Sequence, residues 1–109
     1  VNFMRQVRAS ELKAELDAGA DIQLIDVRQP DEYDFARIEG ARLIPLGEIL
    51  ARMSEIDAER DTVVYCKMGG RSARAVEVLE RSGFKGTLRN LAGGITAWSN
   101  EVDPKVPKY

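Results

Sequence analysis

Two short runs rich in apolar and β-branched residues, DIQLIDV over 21–27 and DTVVYC over 61–66, each give way within a few residues to a stretch with helical character. That alternation limits the fold more than any other feature of the chain. After the first run, QPDEYDF over 29–35 puts Pro30 where a first helical turn tolerates it, with Asp31 and Glu32 at the positive end of the helix dipole. After the second, residues 72–82 carry Ala73, Val76 and Leu79 with Ala75 and Val78 at helical spacing and stop before Gly83. ARLIPL (41–46) and GTLRNL (86–91) read as further strands, GEILARM (47–53) as a turn or two of helix, and GITAWSNEV (94–102) as a last helix. Upstream, Ser10 is expected to cap a helix over ELKAELDAG, with Gly19 as its stop. Repeated strand-to-helix steps with short connections predict an α/β domain whose central, mostly parallel sheet is covered by helices, and such sheets hold ligands at the carboxyl ends of their strands. DPKVPKY (103–109) is expected to leave the last helix as an extended strap.

At 109 residues the chain has the length of one compact domain, 1–109, and no apolar stretch in it is long enough to span a bilayer as a helix. A net charge of −2 and a pI near 5.2, with acids and bases intermixed, argue against a general nucleic-acid surface. Cys66 is the only cysteine, so no internal disulfide forms and a reducing, cytoplasmic setting is the default expectation. There is no histidine, which removes Ser-His-Asp and Cys-His nucleophile pairs and an ordinary Cys/His zinc site. No metal and no cofactor is expected. The start at Val1 rather than Met fits an excised domain or a tag remnant.

Cys66 closes a strand and opens the run C-K-M-G-G-R, with four residues between the thiol and Arg71. Gly69 and Gly70 can take positive φ and turn backbone N–H groups inward, and a helix starting at Ser72 adds unpaired donors and a positive partial charge. With Lys67, Arg71 and Arg74 nearby and no acid between 66 and 76, the thiolate is expected to be favoured and Cys66 to be nucleophilic. Set against this, a lone cysteine ending a strand is often only a small buried hydrophobe, and Lys67, Arg71, Gly69 and Gly70 taken singly are ordinary surface charges and turn residues. Their co-occurrence at one turn favours chemistry. A cysteine phosphatase uses a related loop with five residues between cysteine and arginine and usually a histidine before the cysteine. Here there are four, and Tyr65 stands before it.

LIDVRQPDEYDFARIEGARLIPL (24–46), VVYCKMGGRSARA (63–75) and LRNLAGGITAW (88–98), in that order, resemble the strand-turn-helix region, active-site loop and Gly-Gly-x-x-x-Trp segment of rhodanese-like sulfurtransferase domains. The resemblance covers nearly the whole chain. It implies a parallel sheet with helices on both faces and a catalytic Cys66 that accepts sulfane sulfur as a persulfide, held by the N–H groups of Lys67, Met68, Gly69, Gly70, Arg71 and Ser72. The cationic loop is similar to that of the thiosulfate-using branch, with Lys67 and Arg71 expected at the sulfonate. The chain departs from the family's usual Gly-His-Ile-Pro-Gly-Ala at Ala36-Arg37-Ile38-Glu39-Gly40-Ala41. The ending and the ARLIP run further resemble the rhodanese domain of E1-like adenylyltransferase/sulfurtransferases. That likeness implies a ubiquitin-like sulfur carrier, in molybdopterin or thiamine biosynthesis, as acceptor, with a fused or separate adenylyltransferase. A non-catalytic interaction module remains the alternative, with a cysteine-dependent phosphatase ranked behind it.

Other residues carry structural expectations. Asp26 and Arg28 should organise the turn after their strand, with Arg28 reaching Glu32. Trp98 should be core, and Gly93 and Gly94 should bring the last helix close to the sheet.

Overall fold

The computed structural model describes residues 4–109. Five strands form one sheet in the order β1-β5-β4-β2-β3, with every neighbouring pair parallel: β1 is Gln6–Val7, β2 Ile22–Asp26, β3 Arg42–Leu43, β4 Asp61–Tyr65 and β5 Leu88–Leu91. Four α-helices connect them: α1 Ala9–Asp17, α2 Pro30–Phe35, α3 Gly70–Arg81 and α4 Gly94–Glu101. The central strands β2 and β4 are buried on both faces, as parallel strands roofed by helices must be. Along β4 the side chains alternate: Val63 and Tyr65 join the core formed with α1 and α4, while Val64 and Cys66 join the core formed with α3. Trp98 lies in the first of these cores, 7% exposed. Among the described residues no helix is long and apolar enough to cross a membrane.

Several elements depart from expectation, each for a local reason. β1 has no counterpart in the sequence reading. Its two residues lie between arginines, and only pairing with Asn90 and Leu91 of β5 makes them a strand. Because the chain must turn immediately after Val7, α1 starts at Ala9 rather than after Ser10; Arg8 is its N-cap, and the Arg8 N–H donates to Glu11 at 3.0 Å. β3 is reduced to two residues because Pro45 has no N–H for the ladder, and the chain goes on as single turns of 3₁₀ helix at Leu46–Glu48 and Met53–Glu55. α3 begins at Gly70, not Ser72, after Gly69 reverses the chain with φ +114°.

The connections out of β2 and β4 leave in opposite directions, one toward β3 at one edge and the other through α3 toward β5. The sheet therefore opens between their carboxyl ends, where open α/β sheets take ligands. Asp26 and Tyr65 are paired at this end, and the 66–70 turn sits above them.

Candidate active site

Cys66 follows the last residue of β4 and is 2% exposed. Its Sγ accepts the Gly69 N–H at 3.1 Å and lies 3.3 Å from the Ser72 hydroxyl. Burial pushes the thiol pKa up, but the Ser72 hydroxyl and the N–H groups of Ser72, Gly69 and Met68 outweigh it, and the net shift is below the ordinary value. The sulfur is thus activated by oriented donors of its own loop. The sequence reading divided this task between the loop N–H groups and the flanking cations; the N–H groups take it up, and the cations face other partners.

The donors can face the sulfur because the loop carbonyls are tied elsewhere. The Cys66 carbonyl accepts the Ile95 N–H at 2.9 Å and the Lys67 carbonyl the Thr96 N–H at 3.1 Å, so the first turn of α4 clamps the back of the loop. Gly94 makes the approach possible. Its φ is +59°, and a Cβ there would lie 2.4 Å from the Lys67 oxygen and 2.5 Å from the Cys66 oxygen. The glycine pair does bring the last helix close to the sheet, and it does so against the active loop itself.

Ser72 is fully buried, and its single hydroxyl proton faces three acceptors: Cys66 Sγ, the Gly69 carbonyl at 3.3 Å and Asn90 Oδ1 at 2.5 Å. The Asn90 amide is held by Nδ2 donating to the Gly69 carbonyl and to Gln6 Oε1, both at 3.2 Å. When Cys66 ionises, the hydroxyl proton turns to the sulfur. Ser72→Ala removes that donor, so its curve of iodoacetamide alkylation rate against pH should move to higher pH. The rate at pH 7 should drop on the order of tenfold, a charge-assisted hydrogen bond's worth, with an unaltered plateau at high pH. A superimposable profile would mean that the backbone donors suffice.

Each of the two loop cations is held by another side chain. Arg71 makes a two-pronged pair with Glu32 of α2, at 2.6 and 2.9 Å, and the Lys67 ammonium lies 4.5 Å from the centre of the Tyr109 ring. The Arg71 guanidinium, opposed in part by burial, holds the Glu32 carboxyl down at about 2. Arg74 is 3.7 Å from Glu77, and Met68, within the loop, is 67% exposed. The sequence reading found no acid near the loop because Glu32 is 39 positions from Arg71. Glu32 was instead expected to meet Arg28. Arg28 and Asp26 are both fully buried and pair with each other, Nη2 to Oδ2 at 2.7 Å and Nε to Oδ1 at 3.0 Å, because Asp26 ends the same strand and is the nearer carboxylate. Arg28 reaches Glu32 only through Tyr109, whose hydroxyl accepts from Arg28 Nη1 at 2.8 Å and donates to Glu32 at 2.6 Å. Residues 103–109 thus return to the mouth of the site, where the Tyr109 ring also meets Phe35 edge-on with centroids 5.9 Å apart. Glu32, Asn90 and Tyr109 are the site residues the sequence reading missed; no local motif marks them, and only Glu32 was placed near an arginine at all.

The model of the rhodanese-like domain family matches residues 8–101. The chain belongs to that family. This rhodanese-like domain is 41% identical over 104 residues to the probable adenylyltransferase/sulfurtransferase MoeZ of Mycobacterium tuberculosis, covering 91% of this chain but only 26% of that protein. It is also 37% identical over 104 residues to a protein of Allochromatium vinosum named sulfurtransferase, covering 95% of this chain and 96% of that one. Among solved structures, a rhodanese-like domain protein from Staphylococcus aureus superposes with a TM-score of 0.82 at 30% identity over 97% of this chain and 99% of that one. The chain therefore spans about a quarter of the MoeZ length and nearly all of the single-domain relatives.

Proposed function

We propose that this rhodanese-like domain is a sulfurtransferase that carries sulfane sulfur through a persulfide on Cys66. The observation that carries the proposal is the buried sulfur ringed by hydrogen-bond donors on a loop whose carbonyls are pinned to α4. In the first half-reaction the Cys66 thiolate attacks the outer sulfur of thiosulfate or of a persulfide donor. The bond forms between Sγ and that sulfur, and sulfite or a thiolate leaves with the electron pair of the broken S–S bond. In the second, a nucleophile takes the terminal sulfur and the Cys66 thiolate departs into the same donors that stabilised it at the start. Neither step calls for a protein general base, since the loop donors favour the attacking thiolate and the leaving groups are weak bases. A chain without histidine is consistent with that chemistry.

These 109 residues hold no second cysteine to resolve the persulfide, so the acceptor lies outside this domain. The name of MoeZ, an adenylyltransferase/sulfurtransferase, supports a fused or separate adenylyltransferase as a partner. The resemblance of the sequence to the rhodanese domain of E1-like enzymes implies a ubiquitin-like sulfur carrier as that acceptor, in a reducing, cytoplasmic setting. Intact-mass spectrometry tests the route. After treatment with thiosulfate or glutathione persulfide the protein should gain the mass of one sulfur, and cyanide should remove it as thiocyanate. No gain with either donor would reduce the domain to a binding module.

A further inference from the structure

The mouth of the site is arranged against the ligand that its loop sequence suggests. Thiosulfate brings two negative charges directly onto the sulfur being transferred and its neighbouring sulfonate, and cations near Cys66 would have to receive them. Arg71 and Arg28 are already paired with carboxylates, Arg71 with both prongs of Glu32 and Arg28 with the buried Asp26, while the Lys67 ammonium is drawn onto the face of Tyr109. Glu32 is itself held in place three times over. It accepts from Arg71, from the Tyr109 hydroxyl at 2.6 Å and from the Gln29 N–H at 3.0 Å, and its side chain is only 15% exposed. A sulfonate approaching Arg71 would therefore meet a fixed carboxylate or have to break a bidentate pair. A persulfide on an organic thiol has no sulfonate on the atom next to its sulfane sulfur, so it makes no call on Arg71.

We propose that Glu32 is a specificity-determining residue that, with Tyr109, turns this site away from thiosulfate and toward persulfides of organic thiols. The transfer is Cys66–S⁻ + R–S–SH → Cys66–S–SH + R–S⁻: Sγ forms a bond to the outer sulfur, the R–S–S bond breaks, and its electron pair leaves on the thiolate. No outside oxidant or reductant is involved. The assignment rests on the proposed Cys66 persulfide route and names its donor class.

The test is the ratio of kcat/KM for thiosulfate to kcat/KM for glutathione persulfide, with cyanide as acceptor. Glu32→Gln keeps a capping acceptor for the Gln29 N–H but removes the charge from Arg71. The ratio should rise about tenfold, mainly through a lower thiosulfate KM, and the gain should shrink as salt is raised, as expected for freed charge. Tyr109→Ala, which releases Lys67 without touching the α2 cap, should move the ratio in the same direction. A ratio within twofold of wild type in both variants, or one that falls, would overturn the assignment. If the wild type loads sulfur from neither donor, it is the persulfide route itself that fails.

Discussion

Cys66→Ser should abolish sulfur loading and transfer while leaving the fold intact. Oxygen replaces sulfur in a site that already supplies a hydroxyl partner in Ser72 and an N–H donor in Gly69, so the change leaves no cavity and strands no polar group. The melting temperature should stay within a few degrees of wild type. Transfer should nevertheless decline by on the order of 10⁴ or more, to the detection limit, because a serine hydroxyl is un-ionised at neutral pH and needs a base to become a nucleophile. The chain has no histidine to act as one. The donors that lower the thiol pKa lack the strength to ionise an alcohol, so they stabilise a nucleophile that no longer exists. Intact mass after donor treatment, beside circular dichroism on the same sample, checks both halves. Retention of a cyanide-labile sulfur on the variant would place the chemistry on another atom.

Arg28→Met should be the most destabilising single change outside the hydrophobic core. Burial works against the charge on Arg28, and the Asp26 carboxylate and Tyr109 hydroxyl keep it in place. Removing the guanidinium leaves the Asp26 carboxylate fully buried without its counter-charge, held by neutral donors such as the N–H of residue 28 at 3.0 Å and the Tyr65 hydroxyl. It also strips a donor from the Ala36 carbonyl and from the Tyr109 hydroxyl. Breaking one side of a buried pair costs about 3–5 kcal/mol, since the uncompensated charge is left behind. For a domain of this size that corresponds to a fall in melting temperature of roughly 15–20 °C. Adding Asp26→Asn should recover at least half of the loss, because it removes the stranded charge and keeps an acceptor for the N–H of residue 28. Urea denaturation of the single and double variants measures both. A single variant within about 1 kcal/mol of wild type would mean that water reaches Asp26 and the pair is not structurally critical.

These two expectations concern residues that differ in how far the sequence exposes their roles. Cys66 announces itself locally: an apolar strand ends on the only thiol, two glycines follow, and helical spacing resumes. The same short-range regularities carry the order of most strands and helices, since burial on both faces of a parallel strand and one-sided burial of a helix each leave a pattern within a few residues. β1 escaped because a two-residue edge strand is defined by the strand it pairs with, and β3 was overestimated because a proline can end a ladder without ending an apolar run.

Legible in the sequence alone are the α/β alternation, the placing of the lone thiol after a central strand, and the glycine turn that lets the backbone circle it. Which charges and hydroxyls complete the site was decided only by tertiary structure. Glu32 meets Arg71 across 39 positions, Ser72 meets Asn90 across 18, and Arg28 meets Tyr109 across 81. Side chains on different strands and helices become neighbours only once the sheet order is set, and a charge chooses the nearest carboxylate in space rather than in sequence. For that reason a loop that reads as cationic folds into one whose Arg71 is paired with Glu32 and whose Lys67 lies on Tyr109, and the backbone donors expected at its sulfur are joined by the Ser72 hydroxyl.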